Sequence, residues 1–368
     1  MGTVTTSAAD TPALIALDWG TSTLRAYLVA ANGGVLAQRS WNGGIMKLGE
    51  RRFGDVYREA TEEWPVEALS TIACGMVGSV HGWVEAPYCP VPAGAAELAN
   101  ALVLVEGVNV QIVAGLSQKV ESADVMRGEE TQVIGALSWL PQLRANALVI
   151  CPGTHSKWVR IRDQRIAAFS TFMTGELYAV LSAHSILGRF ARESLAPSAD
   201  LAASAFALGV RTARDSKRDT TALLFSARAR ALAGDLPPEA ALEYLSGLLI
   251  GSELRSGLGE GTAPAALIGE ATLCARYVSA LTEFGIEDVL IVDGTAPRGL
   301  WEIAATAGLC AARNRLPARR DDAGIPRPPS AHRDSSRRYT GGDRHDRRGA
   351  GERRVRDHRG SAQLASRV

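Results

Sequence analysis

Short apolar runs that end in small polar turns open the chain. Residues 14–17 are apolar and stop at Asp18, and a Gly-Thr-Ser-Thr turn leads into the alternating run 24–29. An Asn-Gly-Gly turn at 32–34 joins that run to residues 35–40. Strand-like runs joined by such turns are typical of β-hairpins. The pattern predicts three antiparallel strands, with Asp18 at the tip of the first hairpin.

Strands and helices alternate in the following hundred residues. The pattern predicts a helix over 53–62 and strands over 71–74 and 110–113. An apolar-periodic helix is expected from Gly128 to Leu137, ending before Pro141. This alternation indicates an α/β fold.

The opening design recurs in the middle of the chain. An apolar run at 147–150, a Pro-Gly-Thr-His-Ser turn and a second run at 157–161 repeat the order strand, polar turn, returning strand. Residues 176–254 read as largely helical, with a packed amphipathic segment near the end. Strand-to-helix units follow at 265–271 and 289–294, and residues 301–309 are expected to close the last helix. The recurrence predicts two similar domains, 12–140 and 141–310.

Charge is unevenly distributed along the 368 residues. Apolar residues make up 46% and charged residues 21%, which excludes a disordered or fibrous protein for most of the chain. Residues 311–368 hold 16 Arg, no Lys and 7 acidic residues, a net of +9. Since the whole chain has 40 basic and 39 acidic residues, residues 1–310 carry a net of −8. The body is therefore mildly acidic, and no nucleic acid partner is expected for it.

The Arg-rich tail, 311–368, lacks apolar periodicity and is expected to be disordered. It is interpreted either as an arm for a polyanion or as translation past a lost stop codon or in an altered frame. Arg-rich, Lys-free sequence is what GC-rich DNA yields in an unselected frame, and the body has only four lysines. We favour the second interpretation and expect deletion of 311–368 to leave the function of residues 1–310 intact.

The features that report a cellular compartment indicate a cytoplasmic protein. No apolar run approaches the ~20 residues that cross a bilayer, and the first twelve residues lack a secretory pattern. The five cysteines lie among apolar neighbours without metal-ligand spacing, as reduced core thiols do.

Three small-residue turns are candidates for a nucleotide site. In the first, backbone N–H groups and hydroxyls can bond phosphate oxygens while a carboxylate holds Mg²⁺ through water. Its residues are Asp18, Gly20, Thr21, Ser22 and Thr23. The alternative is an ordinary hairpin that Asp18 caps. A Walker-type phosphate loop is excluded because GxxxxGK[ST] does not occur.

The other two turns follow later strands. Gly153, Thr154 and His155 precede Lys157, which can meet a phosphate or a carboxylate. Gly269 and Ala271 flank a strand–helix junction where a planar base can approach the backbone. Each turn also fits a purely structural interpretation, and His155 equally fits a hydrogen-bonded turn histidine.

Several longer blocks resemble one family. They are Asp18–Ala26, Gly75–Ser79 with Gly82-Trp83, Val125–Gln132, Pro152–His155, Lys157–Val159 and Met173–Leu177. Together they resemble the 2-dehydro-3-deoxygalactonokinase family of the actin/hexokinase/heat-shock-protein ATPase superfamily, over about residues 14–309. The resemblance implies two ribonuclease-H-like domains around a central cleft, with ATP and Mg²⁺ as cofactors. The segment 292–301 is about two residues shorter than the family's usual turn, which leaves the adenine-side geometry open.

The resemblance also implies roles for residues. Asp18 would organise Mg²⁺, the Gly/Thr turns would cradle the phosphates, and Gly269 and Ala271 would lie under the adenine. Glu129 and Glu130 are the candidates for the catalytic base, with Asp124 as the runner-up. The alternative is that both glutamates only complement the helix dipole.

The substrate implied is a sugar acid, so its pocket should combine a cation with polar donors. Arg127 and Lys157 are the candidate carboxylate or phosphate partners, whereas Arg25 is interpreted as a structural strand residue. Trp83 and Tyr88 could line the pocket, although core packing is the favoured interpretation.

The function predicted is phosphorylation of 2-dehydro-3-deoxy-D-galactonate at its 6-hydroxyl. The alternatives are a phosphohydrolase or ATPase of the same fold and a non-catalytic sugar-sensing regulator. The sequence does not decide whether the substrate is the galactonate or the gluconate stereoisomer. It also leaves the oligomeric state open, and a homo-oligomer is one alternative.

Overall fold

A computed structural model describes residues 11–119, 123–189, 195–258 and 263–310. The Arg-rich tail lies outside these residues, so the predictions about it are not addressed by the structure. The described part begins with β1 (Pro12–Trp19), β2 (Leu24–Ala30), β3 (Val35–Trp41), α1 (Phe53–Ala60), β4 (Ser70–Cys74), β5 (Tyr88–Pro90), α2 (Ala95–Asn100), β6 (Val103–Leu104), β7 (Val110–Ile112), β8 (Gly115–Gln118), β9 (Asp124–Met126) and α3 (Glu129–Trp139).

The later elements continue the alternation of strands and helices. They are β10 (Asn146–Cys151), β11 (Ser156–Arg162), β12 (Arg165–Phe172), α4 (Thr174–His184), α5 (Ala199–Asp215), α6 (Thr220–Leu224), α7 (Ser226–Ala233), α8 (Ala241–Leu258), β13 (Ala266–Ile268), α9 (Ala271–Glu283), β14 (Leu290–Val292) and α10 (Ala296–Thr306).

Two large sheets share the order of five strands, and the first has β6 as an additional edge strand. The first runs β3-β2-β1-β4-β7-β6 and the second runs β12-β11-β10-β13-β14. In each, a three-stranded antiparallel meander continues into two strands parallel to its first strand. The predicted three-stranded start and its recurrence are confirmed. The domain boundary at residues 140 and 141 stays a prediction.

Alternate side chains of the central strands point to opposite faces of the sheets and pack in separate hydrophobic clusters. Leu14 and Ala16 of β1 pack in a cluster with Val149 of β10 and Leu300 of α10, whereas Ile15 points into a second cluster around α1. The opposite face of the second sheet packs against the helices α4–α9. Helices α3 and α10 therefore lie in the layer shared by both sheets.

Two glycines bring α3 and α10 into backbone contact. A Cβ on Gly135 would lie 2.0 Å from the carbonyl oxygen of Thr295, and one on Gly299 would lie 1.8 Å from that of Thr131. The backbones of the two helices are in contact, so a side chain fits at neither position. This contact fixes the first turn of α3 beside the edge where β1 and β10 end.

Three details differ from the sequence expectations. The last helix spans Ala296–Thr306 and so ends three residues before Leu309, and Pro297 lies in its first turn, where a missing N–H costs nothing. Strand β12 was not predicted, although it completes the second meander. A separate sheet of order β5-β8-β9 also escaped prediction, because its strands are only three or four residues long.

Candidate active site

The end of β1 opens onto two cavities. A cavity of about 310 Å³ is lined by Asp18, Gly20, Thr21, Gly75, Met76, Arg127, Gly128, Glu129, Gln132, Cys151, Pro152, Gly153, Thr154 and His155. A smaller one of about 120 Å³ is lined by Asp18, Arg25, Tyr27, Gln132, Gly269, Glu270, Asp293, Gly294, Thr295 and Ala296. Asp18 and Gln132 belong to both walls, so the two cavities adjoin. Asp18 of the first candidate turn and Thr154 of the second share the larger one.

Asp18 is the penultimate residue of β1, and its carboxylate makes only long contacts with its neighbours. Its Oδ2 lies 3.4 Å from Nη1 of Arg25, the residue paired with it on β2, and its Oδ1 lies 4.0 Å from Sγ of Cys74. Burial raises the pKa of Asp18, and the positive charge of Arg25 opposes that rise. A further cation in the cavity would stabilise the ionised form of this carboxylate.

The remaining residues of the first turn divide into two groups. Gly20 and Thr21 face the larger cavity. Thr23 closes the turn, because its carbonyl accepts the Gly20 N–H at 3.0 Å. The backbone of Ser22 packs against Gly44, where a Cβ would lie 2.4 Å away. Among the described residues, Ser22 and Thr23 lie outside the walls of both cavities.

The second turn is supported by the start of α4. A Cβ on Gly175 would lie 2.5 Å from the carbonyl oxygen of Gly153, so only glycine permits this approach. The N–H of Glu176 donates to the Thr154 carbonyl at 3.0 Å, and its carboxylate hydrogen-bonds Nε2 of His155. The Met-Thr-Gly-Glu-Leu block therefore shapes the loop that holds Gly153, Thr154 and His155.

The two glutamates at the start of α3 have different surroundings. Glu129 lines the larger cavity, and its Oε2 accepts the Arg127 N–H at 3.2 Å. Burial raises the pKa of Glu129, and the charge of Lys157 opposes that rise. Glu130 is fully buried, and its carboxylate accepts the Gly128 N–H at 2.7 Å and the Thr131 hydroxyl at 3.0 Å. Burial, with the neighbouring Glu129, raises the pKa of Glu130 to about 7.

The two candidate cations also differ. Arg127 lines the larger cavity, donates from Nη2 to the Ala86 carbonyl at 2.7 Å, and lies 4.3 Å above the Tyr88 ring. Its Nε and Nη1 are buried and make no hydrogen bond with the described residues. Lys157 is buried, and its Nζ donates to the Val125 carbonyl and to the Thr171 hydroxyl. It lies outside both cavity walls as the structure describes them.

Other candidates are placed as follows. Gly269 lines the smaller cavity, whereas Ala271 is an exposed first residue of α9 and is not among the described wall residues. Asp124 binds Thr171, at 2.8 Å to the backbone N–H and 2.7 Å to the hydroxyl. Trp83 stacks on Phe53 in an aromatic cluster. Tyr88 supports Arg127.

Sequence reasoning did not select several wall residues. Gly75 follows β4 and Asp293 follows β14, and both strands run parallel to the central strand of their sheet. Since parallel strands end at the same edge, the residues after each strand were the available signal. Gln132, inside the Arg-Gly-Glu-Glu-Thr-Gln block, had no signal of its own.

The residues available to a metal are few. Within the described ranges, no group of three or more His, Cys, Asp or Glu is arranged to hold a metal ion. Asp18 can contribute one carboxylate. Mg²⁺ on a nucleotide needs only one or two protein carboxylates because phosphates and water complete its shell. The donor set therefore fits a cation that arrives with its nucleotide.

Two sheets that share the order of five strands and border one polar cleft are typical of actin-like ATPases and sugar kinases. The comparison with family models narrows the class. The chain belongs to the 2-keto-3-deoxy-galactonokinase family, whose model matches residues 18–303.

Individual relatives agree with this assignment. A protein of Rhizobium meliloti (strain 1021), provisionally described as a 2-dehydro-3-deoxygalactonokinase, is 38% identical over 309 residues, which cover 82% of this chain and 96% of the relative. The 2-dehydro-3-deoxygalactonokinase of Escherichia coli (strain K12) is 37% identical over 288 residues, 77% and 94% of the two chains. A crystal structure from Sinorhizobium meliloti with the same provisional description matches with a TM-score of 0.72 at 36% identity, over 79% of this chain and 98% of that one.

Two further features bear on the sequence analysis, namely the lengths of the apolar helices and the state of the cysteines. Within the described ranges, no helix is both long and apolar enough to cross a bilayer. All five cysteines lie among the described residues and are free thiols.

Proposed function

We propose that this chain uses ATP to phosphorylate the 6-hydroxyl of 2-dehydro-3-deoxy-D-galactonate, a step of galactonate catabolism. Membership of the 2-keto-3-deoxy-galactonokinase family supports the proposal. The observation that carries it is a single cavity lined by Asp18, by both Gly-Thr turns and by Glu129. Phosphoryl transfer needs alignment, charge neutralisation and a group that accepts the proton of the attacking hydroxyl. The cavity contains a candidate for each.

The nucleotide is proposed to lie along the two adjoining cavities. Its phosphates would contact Gly20 and Thr21 on one side and Gly153 and Thr154 on the other, since all four line the larger cavity. The nucleoside end would extend toward Gly269 in the smaller cavity. The first turn of α3 begins at Glu129 directly after the wall residue Gly128, and helix N-termini favour anions.

Asp18 is the residue proposed to hold Mg²⁺, directly or through water. Its carboxylate faces both cavities, and Arg25 engages it only at 3.4 Å. The ion, when bound with the nucleotide, would neutralise charge on the phosphates. A nearby cation would also lower the pKa of Asp18, which burial raises.

Glu129 is proposed as the base, with Glu130 as its buried support. Glu129 lines the cavity, so its carboxylate can meet a bound hydroxyl. Glu130 is enclosed and already accepts two hydrogen bonds, which hold the turn at Gly128. A pKa of about 7 for Glu130 makes it a poor source of a fixed negative charge.

Arg127 is proposed to bind the carboxylate of the sugar acid. Its guanidinium is held by Ala86 and Tyr88, while Nε and Nη1 make no hydrogen bond with described residues. Buried donors without partners are costly, and a substrate carboxylate would satisfy one of them. A cytoplasmic location belongs to the same proposal, because five free thiols are typical of a reducing compartment.

A coupled ADP assay across a panel of 2-keto-3-deoxy sugar acids tests this function. We expect ADP release that depends on the galactonate isomer, and ³¹P NMR should locate the new phosphate on the 6-hydroxyl. ADP release at the same rate without any sugar acid would indicate a phosphohydrolase. No ADP release with any member of the panel would overturn the kinase proposal.

A further inference from the structure

Lys157 lies at the second position of β11 and is 5% exposed. Its Nζ donates to the Val125 carbonyl at 2.9 Å and to the Thr171 hydroxyl at 2.8 Å. Both acceptors are neutral, and both belong to the protein. A lysine that is buried with neutral partners, outside the described walls of both cavities, is poorly placed to bind substrate.

Thr171 links Lys157 to a carboxylate through its hydroxyl group. It pairs with Lys157 across β11 and β12, and its hydroxyl accepts from Lys157 while donating to Oδ1 of Asp124 at 2.7 Å. The Thr171 N–H donates to Oδ2 of the same Asp124 at 2.8 Å. Lys157, Thr171 and Asp124 therefore form a continuous chain of hydrogen bonds, which we call the strand clamp.

The strand clamp holds β9 by two successive residues. Asp124 is bound through its carboxylate, and Val125 through its carbonyl. Strand β9 is only three residues long, and its ladder partner is β8. Its attachment to β11 and β12 thus comes from side chains.

The segment fixed in this way leads directly into the active site. Met126 ends β9, and the next residues are Arg127, Gly128 and Glu129, all of which line the larger cavity. The Arg127 N–H meets the Glu129 carboxylate, so the two wall residues are also joined to each other. A shift of β9 would displace both of them together.

We propose that the strand clamp positions Arg127 and Glu129 for catalysis, and that Lys157 is a positioning residue and not a ligand of the sugar acid. This inference rests on the proposed kinase function. The clamp reaches from the second sheet to the segment that begins α3, so the geometry of the catalytic turn depends on β11 and β12.

The charge of Lys157 has a second effect, on the protonation of Glu129. The groups that face Glu129 are Lys157 on β11, His155 in the second turn, Glu130 on its own helix, Cys74 at the end of β4 and Cys151 at the end of β10. Lys157 is the largest influence that lowers the pKa of Glu129 against burial. Loss of its charge should therefore raise that pKa, so that the ionised base appears only at higher pH.

The test compares Lys157→Met with Thr171→Val and with Lys217→Met, the same substitution at an exposed lysine. We expect Lys157→Met to lower kcat by about 10²-fold, because the base is misplaced and less ionised. The KM for the sugar acid should rise by only about three- to fivefold, because Arg127 shifts together with Glu129 but keeps its charge. The acid limb of the kcat profile should move up by about one pH unit. Lys217→Met should match the wild type.

Thr171→Val separates position from charge, because it breaks the clamp but keeps the ammonium. We expect about a tenfold loss of kcat with the acid limb less displaced than in Lys157→Met. If Lys157→Met does not fold, Thr171→Val and Asp124→Asn carry the kinetic test. Unchanged kcat in these two variants would overturn the clamp.

Two further outcomes would also overturn the inference. One is Lys157→Met with a large rise in KM for the sugar acid at unchanged kcat, which would identify a substrate ligand. The other is an unchanged Glu129 titration by ¹³C NMR, with Glu129→Gln identifying its signal. That titration does not need turnover, and wild-type activity measured alongside tests the kinase function separately.

Discussion

The turn after β1 and the turn after β10 occupy equivalent positions in sheets of the same order, yet they differ in chemistry. The first begins with the carboxylate of Asp18, whereas the equivalent strand end in the second sheet is the thiol of Cys151 and continues into Pro152 and Gly153. The first turn is closed by its own hydrogen bond, but the second is braced from behind by α4. The two sheets have equivalent topology, but the first turn supplies a charged group, the Asp18 carboxylate, whereas the second supplies a backbone loop whose shape is held by α4.

The largest expected effect on kcat comes from removing the negative charge of the first turn. Asp18→Asn keeps the shape of the side chain but removes the proposed metal-binding charge, so we expect kcat to fall by about 10³-fold. Turnover at a series of Mg²⁺ concentrations would measure it. Circular dichroism and the melting temperature should remain near wild type, as the control. Turnover within threefold of wild type would contradict the contrast between the turns.

The next effect concerns the helix that faces both turns. Glu129→Gln should lower kcat by about 10²-fold or more, because the proposed base is lost. Glu130→Gln, its matched control, should lose less than about tenfold, since an amide oxygen can still accept from Gly128. Steady-state kinetics of both variants would decide. The reverse order would assign the base to Glu130.

Glu130 also makes a prediction for stability. Its folded pKa is raised from 4.5 to about 7, so the folded state favours the protonated form. That contribution is fully present below about pH 4.5 and is lost as the pH rises through about 7, on the order of 3 kcal/mol in all. Glu130→Gln should remove this dependence, as urea unfolding at pH 5 and pH 8 would show. An unchanged difference between the two pH values would contradict it.

A smaller effect is expected from the brace behind the second turn. Gly175→Ala would force a methyl group against the Gly153 carbonyl, so we expect a loss of about 1–3 kcal/mol of unfolding free energy. The displaced turn should cost about tenfold in kcat. Gly54→Ala, in α1 and outside both described cavity walls, is a control for adding a methyl group, because the nearest atom to its Cβ would lie 3.8 Å away. Wild-type kinetics for Gly175→Ala would show that the second turn needs no such support.

The smallest effect tests the second turn directly. Thr154→Val removes one hydroxyl from the larger cavity and keeps the volume. We expect the KM for ATP to rise by about three- to tenfold, the value of one hydrogen bond, with little change in kcat. Nucleotide titration of the kinetics would measure it. A loss as large as that of Asp18→Asn would make the two turns chemically equivalent.

Much of the fold was readable because local signals agreed. Alternating apolar residues and the Asn-Gly-Gly turn predicted β1, β2 and β3, and the same design identified β10 and β11. The turns themselves pointed to Asp18, Gly153 and Thr154, which do share a cavity. Hairpins and their tips are determined by neighbours in sequence, so the sequence alone can locate them.

The remaining parts depend on contacts between distant segments. Lys157 was predicted as a substrate ligand, and its hydrogen-bond partner Thr171 lies on β12, a strand that was not recognised. The contact between His155 and Glu176 and the enclosure of Glu130 likewise arise only when helices pack against the sheets. No periodicity in a short segment reports which side chain will be covered by another element.

The smaller cavity has a consequence for the form in which nucleotide enters. Three carboxylates, those of Asp18, Glu270 and Asp293, line it beside a single guanidinium, that of Arg25. A bare triphosphate bound in the adjoining larger cavity would bring further negative charge beside these carboxylates and be repelled. A nucleotide already neutralised by its counter-ion would not, so uncomplexed ATP should be a weak competitor for the enzyme.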